Sequence, residues 1–396
     1  MGLGLVLALV GGCSTAGPAD RSGPTSGPRT STAGGVKTTT TGVSAVTQGV
    51  HVSGNTLVDA TGRVVQLHGV NASGSEYACV ADGYGQTNGY GFLNGPFDQA
   101  ATFEPMKRWH VNAVRVPMNE DCWLGINGVK AQFSGDAYQK VIATVVANAK
   151  AAGMVVILDL HWSAPGTAVA NYGQEVMPDA DHSPAFWRSV ATAYKNVPDV
   201  IFDLFNEPHP HDTQANPSAD PFGWKCWLKG CTHARLASTT APQLWDSAGM
   251  QTLVDAVRST GAGNPVLVNG NGSAGDLSGW LASGIHDPAR QLIAGMHSYD
   301  ASGNRFPEAW EATDGGPVHP IAARYPVIVG ETGYYKSTGP VTYVDTELPF
   351  LDRVGVSYLA WQWLPSGADL GLIRDWNGVP EVGWGTYYHD HIVKLP

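Results

Sequence analysis

The chain has 396 residues, 43% hydrophobic and 14% charged, enough apolar material for one large barrel or two ordinary domains. Its formal net charge is −11, with 23 basic against 34 acidic residues and no block of Lys or Arg, which argues against a phosphate-tracking surface and so against nucleic acid as a partner. Low charge combined with 49 Gly, 13 Trp and 14 Tyr suits a secreted protein with many loops and an aromatic-lined cleft.

In chain order, residues 1–12 are apolar and run into Val10-Gly11-Gly12-Cys13, the form of a lipobox at the end of an export signal. Leu3 to Val10 is far shorter than the roughly 20 residues that span a bilayer. Residues 1–13 are therefore expected to direct export, with a lipid anchor at Cys13 as one outcome; the missing positive n-region means either that the true start lies upstream or that this is an ordinary signal in which Cys13 is incidental. Residues 14–48 are Ser, Thr, Gly, Ala and Pro with almost no large apolar side chain, the composition of a flexible tether that cannot bury enough surface to fold. A single folded domain is expected over residues 49–396. Its cysteines, Cys79, Cys122, Cys226 and Cys231, form an even set that an oxidising compartment would pair. Cys226 with Cys231 is the easier pairing and leaves Cys79 with Cys122; a zinc site is the alternative, without a CxxC spacing to support it.

Short apolar, β-branched runs then alternate with helix-period segments. Strands are expected at Val64–Val70, Ala113–Pro117, Val155–Leu160, Val200–Phe205, Pro265–Asn269, Leu292–His297, Pro326–Gly330 and Val356–Trp361. Helices are expected at Asp136–Ala152, from Ser183-Pro184 to about Lys195, at Trp245–Ser259 and at Val344–Val354. Eight such β–α units predict an α/β fold of the (β/α)₈ barrel type with long βα loops. The rival doubly wound sheet would want a Gly-rich phosphate loop after the first strand, which His68-Gly69-Val70-Asn71-Ala72-Ser73-Gly74 matches poorly.

A barrel of this kind works at the C-terminal ends of its strands. Those ends carry Asn71, Arg115, His161, Asn206-Glu207, Asn269, His297 with Tyr299, Glu331 and Trp361. Two of them, Glu207 and Glu331, sit at the mouths of buried runs, where desolvation penalises a carboxylate unless something uses it. Together they predict a paired-carboxylate catalytic site. Each residue also has a plainer reading: Arg115 as a buried arginine paired with a carboxylate such as Glu331, and His161 or His297 as a satisfied core histidine. Asp159 and Asp203, inside apolar strands, read as structural partners within the barrel. By alternation Trp361 and Trp363 face the same way, so one could floor a ligand site while the other packs in the core. His209-Pro210-His211-Asp212 and His389-Asp390-His391 lack metal-ligand spacing, so no metal is expected; no GxSxG supports a serine mechanism.

These residues resemble glycoside hydrolase family 5, through Leu67-His68-Gly69-Val70-Asn71, Asn112-Ala113-Val114-Arg115-Val116-Pro117, Ile157-Leu158-Asp159-Leu160-His161, Phe205-Asn206-Glu207-Pro208, His297-Ser298-Tyr299, Gly330-Glu331-Thr332-Gly333 and the segment Tyr358 to Trp363. The resemblance implies Glu207 as general acid/base, Glu331 as nucleophile and Arg115 as the cation that keeps Glu331 ionised. It implies Asn206 and His161 on the sugar at the cleavage point, His297 and Tyr299 orienting the carboxylates, and Trp361 (with Trp363 as second choice) as the platform of that subsite. The family commonly has Glu-Phe-Gly where this chain has Glu331-Thr332-Gly333, and the long inserts Ser163–His182 and His209–Pro242 lack a counterpart in its shortest members. The implied activity is retaining, endo-acting hydrolysis of a β-1,4-glucan without a cofactor, by a monomer whose partner is a polysaccharide or oligosaccharide. A β-mannanase or another β-glycosidase of the family is an alternative, as is a non-catalytic carbohydrate-binding barrel at the cell surface, which the presence of both glutamates disfavours.

Overall fold

The computed structural model describes residues 49–80, 93–170, 174–210, 223–236, 243–300, 310, 316, 318–334, 342–365 and 370–395. The expected export signal, Cys13 and the tether lie outside the described residues. Eight parallel strands close into a barrel. They are β1 (His68–Asn71), β2 (Ala113–Asn119), β3 (Val155–Trp162), β4 (Val200–Asp203), β5 (Val266–Asn269), β6 (Leu292–Tyr299), β7 (Val327–Gly333) and β8 (Ser357–Ala360). Each pairs with its successor in the chain, and β8 closes on β1 through Tyr358–His68, Leu359–Gly69 and Ala360–Val70. The expected (β/α)₈ fold class is observed.

β2 and β3 are buried along their whole length, as expected for parallel strands covered on both faces. Outside the barrel lie α1 (Phe103–Arg108), α2 (Asp136–Ala151), α3 (Ser183–Tyr194), α4 (Met250–Arg258), α5 (Val318–Ala322), α6 (Thr342–Val354) and α7 (Trp384–Ile392). In α2 the residues Tyr138, Ile142, Val145, Val146 and Ala149 recur at helical spacing and are the buried ones. The chain leaves this helix at Gly153, whose φ of 82° only glycine adopts readily.

Besides a small group of Trp162, Ala164 and Ala170, two apolar clusters result. The larger fills the space between the barrel and its helices. The smaller consists of inward-facing residues near the strand starts, Leu67, Ala113, Val155, Ile157, Ile201, Leu267, Ile293, Ile328 and Leu359, capped by Val50 and Leu57. Leu57 belongs to, and Val50 directly precedes, a three-stranded antiparallel sheet of His51–Ser53, Thr56–Val58 and Val64–Val65, so this segment plugs the lower end of the barrel. The polar residues are left to the opposite end.

Some boundaries differ from expectation. Val64–Val70 is two strands, because Val64 and Val65 pair backward with Thr56–Val58 and only His68–Asn71 enters the barrel. The run Val356–Trp361 is strand only over Ser357–Ala360. Trp245 and Asp246 form a short antiparallel pair with Thr232 and His233, and helix α4 begins at Met250. Between β5 and β6 the chain runs through turns instead of a helix. Gly270, Gly272, Gly275 and Gly279 fall in that stretch, and a helix there would carry a large backbone-entropy cost. Both disulfides form as expected, Cys79–Cys122 with Cα atoms 5.4 Å apart and Cys226–Cys231 at 5.1 Å. No helix among the described residues is long and apolar enough to cross a membrane.

At the barrel base, Asp352 of α6 ties β1, β8 and α7 together. It accepts from His391 Nε2 at 2.7 Å and Tyr358 Oη at 3.0 Å, and His68 Nε2 lies at 3.3 Å. Burial would raise its pKa, but these hydrogen bonds outweigh it and hold the carboxyl well below the ordinary range. A depressed folded-state pKa stabilises above the unfolded value and loses that contribution as pH falls through the folded one. Asp352→Asn is therefore expected to lower the thermal midpoint at neutral pH, with the gap to the parent closing below about pH 4. Thermal melts at stepped pH would show it, and a gap independent of pH would refute it.

Candidate active site

Arg115 is the centre of the upper barrel. It lies on β2, is fully buried, and its three nitrogens meet five acceptor oxygens. Nε donates to Asp203 Oδ2 at 2.8 Å; Nη1 donates to Glu331 Oε1 at 2.7 Å and Asn71 Oδ1 at 3.1 Å. Nη2 donates to Asn206 Oδ1 at 2.8 Å and meets Asp159 Oδ2 at 3.0 Å. One cation thus faces three carboxyl groups that cannot all be ionised in a buried space. Burial pushes Asp159 up to about 7 against the pull of Arg115, and pushes Asp203 well above the usual range against the same pull. Arg115 itself stays protonated, because the surrounding acids outweigh the effect of its burial. The sequence reading of Asp159 and Asp203 as internal partners is observed, with Arg115 as the group they serve.

The two glutamates face one another. A carboxyl oxygen of Glu207, one of Glu331 and a ring nitrogen of His297 all lie within 4.8 Å of each other. They do not occupy equivalent strand positions as the sequence suggested: Glu331 lies inside β7, whereas Glu207 follows the end of β4 at Asp203 by a short loop. That loop is held from below by Asn269 of β5, whose Nδ2 donates to the carbonyls of Phe205 and Asn206, each at 3.0 Å, and to Asp203 Oδ1 at 2.8 Å. Glu331 is 5% exposed, and the Glu207 side chain retains 30% of its surface. Burial raises the pKa of Glu207, against smaller lowering from His161, His209 and Arg115.

His297 sits between the acids, its Nδ1 at 2.9 Å from Glu207 Oε1 and 3.6 Å from Glu331 Oε2. Burial lowers its pKa to about 3, so the ring is neutral at working pH. Its Nε2 has no partner, so the proton belongs on Nδ1, where it is donated to Glu207. Tyr299 Oη donates to Glu331 Oε2 at 2.7 Å. Glu331 therefore accepts on one oxygen from Arg115 and on the other from Tyr299, one charge-assisted and one hydroxyl contact that fix its position.

His161, also neutral because burial lowers its pKa to about 4, donates from Nδ1 to Asp159 Oδ2 at 2.6 Å. Its ring stacks on Trp361 at 5.6 Å and an interplanar angle of 11°. Trp361 is half-buried, whereas Trp363 is fully buried against Trp109. The expected division of labour is observed, with Trp361 beside His161 and Trp363 packed in the core; both lie beyond the strand, which ends at Ala360. The structure thus brings all eight predicted residues (Arg115, His161, Asn206, Glu207, His297, Tyr299, Glu331 and Trp361) to one end of the barrel. Gln174 was missed. It belongs to the insert after β3, accepts from Asn206 Nδ2 at 2.6 Å and donates to the Glu207 carbonyl at 2.6 Å, bracing the acid loop from above. No local sequence signal marked it. Glu207, His297 and Glu331 have the proximity of metal ligands, but the arginine 2.7 Å from Glu331 already supplies the positive charge there.

A closed parallel barrel with two facing carboxylic acids at the C-terminal ends of its strands defines a barrel hydrolase of glycosides. The chain belongs to glycosyl hydrolase family 5, the cellulase family, whose model matches residues 58–367. It is similar to the major extracellular endoglucanase of Xanthomonas campestris pv. campestris, 27% identical across 83% of this chain and 70% of that protein. It also resembles a mannan endo-1,4-beta-mannosidase of Streptomyces lividans, 21% identical across 85% of this chain and 73% of that protein. Among solved structures, a β-glucanase of Saccharophagus degradans in complex with cellotetraose superposes with a TM-score of 0.62 at 21% identity, covering 89% of this chain and 95% of that one. That likeness shows the shared barrel.

Proposed function

We propose that this chain is a retaining endo-β-1,4-glucanase acting by double displacement. Glu207 protonates the departing glycosidic oxygen while the Glu331 carboxylate attacks the anomeric carbon; a glycosyl–Glu331 ester forms and the sugar–oxygen bond breaks. Glu207, now a carboxylate, takes a proton from water, whose oxygen attacks the same carbon and releases Glu331. The observation that carries this reading is the spacing of the acids, with oxygens within 4.8 Å. Retaining enzymes hold their carboxyls roughly 5–5.5 Å apart, whereas inverting enzymes need about 6.5–9.5 Å to admit a water. Asn206 and His161 face the sugar at the cleavage point, with Trp361 as its platform; no cofactor or metal takes part, since proton donor and nucleophile are both side chains. The extracellular Xanthomonas relative supports a secreted enzyme, anchored through a lipid on Cys13 or free, working as a monomer with its domain over residues 49–396 beyond a tether.

The mannosidase likeness favours mannan as the second reading. Reducing-end release from carboxymethylcellulose, mixed-linkage glucan and mannan separates the two: activity confined to mannan would overturn the glucanase assignment. Proton NMR of the first product from the preferred substrate is expected to show the β-anomer, and an α-anomer would end the double-displacement proposal.

A further inference from the structure

We propose that Ser298, Thr332, Tyr343 and Glu347 form a polar clamp on the outer face of the barrel that positions Glu331, His297 and Tyr299; the idea rests on Glu331 being the nucleophile. Ser298 and Thr332 are register partners on β6 and β7. In each strand the neighbouring residues face inward, so these two hydroxyls point outward to helix α6. All four clamp side chains are buried. Tyr343 and Glu347, four residues apart on α6, share a helix face. Thr332 Oγ1 donates to Glu347 Oε2 at 2.7 Å and Tyr343 Oη donates to Glu347 Oε1 at 3.1 Å. With its single hydroxyl proton given to Glu347, Tyr343 must accept from Ser298 Oγ, with which it is in contact. The result is one directed network: Ser298 to Tyr343 to Glu347, and Thr332 to Glu347.

Its placement gives it a purpose beyond tying a helix down. The pairing of β6 with β7 shifts register between Met296 and His297, and that of β7 with β8 shifts between Val329 and Thr332. Such irregularities re-aim side chains and locally interrupt the ladder. Here they aim His297 and Glu331, so the backbone is least constrained by its sheet where the catalytic side chains need most precision. The clamp fixes both strands immediately beyond those shifts, through hydroxyls adjacent in sequence to Glu331, His297 and Tyr299. It also accounts for the threonine in Glu331-Thr332-Gly333: a hydroxyl there serves a buried carboxylate that a phenyl ring could not.

The test compares Thr332→Val, which keeps shape and removes the hydroxyl, with Thr332→Ser, which restores it, reading kcat, KM and the thermal midpoint on the preferred glycan. Misplacement of a reacting group by about 1 Å costs on the order of 10²-fold. A fall in kcat of about tenfold or more is expected for Thr332→Val with KM within about twofold, and near-parental kcat for Thr332→Ser. A merely structural role would lower the midpoint of Thr332→Val while leaving kcat of the folded enzyme unchanged, which would overturn the proposal, as would equal impairment of Thr332→Ser. If Thr332→Val does not fold, Ser298→Ala carries the same test, with unchanged kcat refuting the clamp. Glu331→Ala in the same series separates the two claims. If it is inactive beside a fully active Thr332→Val, the clamp fails and the nucleophile stands; if it is active, the nucleophile reading fails and the clamp with it.

Discussion

Glu331→Ala is expected to reduce kcat by about 10⁴- to 10⁶-fold, the range seen when a covalent nucleophile is deleted. Binding of a substrate oligosaccharide should change little, since Trp361, His161 and Asn206 remain in place; isothermal titration would check this. Glu207→Ala is expected to cost about 10²- to 10⁴-fold, the usual contribution of a general acid. Its loss should be smallest on aryl glycosides whose leaving group departs without a proton. The two acids also predict the pH profile. Burial raises Glu207, and the proposed mechanism uses its protonated form as the acid, so activity should decline on the alkaline side as pH rises through that elevated value. In Glu207→Gln this alkaline limb should disappear. Near-normal hydrolysis by Glu331→Ala, or an unchanged alkaline limb in Glu207→Gln, would remove the residue concerned from its role.

What the sequence could reveal about this site follows the range of its signals. The site residues were legible because each lies within or just after a short buried run, and the barrel brings the upper ends of those runs to one face. Asp159 and Asp203 were legible as internal partners because an acid inside an apolar strand needs one, but that both converge on Arg115 depends on closure of the barrel, which no local pattern encodes. Trp361 and Trp363 show the limit of periodicity. Alternation predicts a shared face only while the strand lasts, and it ends at Ala360. Val64 and Val65 fit a continuous strand equally well by composition; their pairing with the preceding strand is a tertiary choice. Gln174, an ordinary polar residue in a loop, and the Thr332–Glu347 bond joining a strand to a helix, were invisible for the same reason: their partners are distant in sequence.

Arg115→Ala should produce the largest loss of stability of any substitution at this site. Removing one partner of a buried ion pair typically costs about 3–5 kcal/mol, because the remaining charge is left uncompensated. Here the vacancy faces Asp159, Asp203 and Glu331 together. The pH dependence has a definite sign. Asp159 is already raised to about 7 and Asp203 is raised by burial, each against the pull of Arg115; without it, both rise further. Carboxyls with elevated folded-state pKa values bind more protons folded than unfolded, so stability falls as pH climbs from about 4, the unfolded value, through the folded values. Urea unfolding of Arg115→Ala should therefore lie closest to the parent near pH 4 and fall progressively below it toward pH 8, with turnover at neutral pH lost because Glu331 no longer has the guanidinium that positions it. Arg115→Lys is not a mild control: an ammonium offers three donors on a flexible stem where the planar guanidinium meets five acceptors, so Asn71, Asn206 and the three acids cannot all be served. It should keep more stability than the alanine variant yet lose about 10²-fold in kcat through displacement of Glu331. A stability deficit in Arg115→Ala that is largest at acid pH, or absent at neutral pH, would show that the arginine is not what permits three carboxyl groups to share the barrel interior.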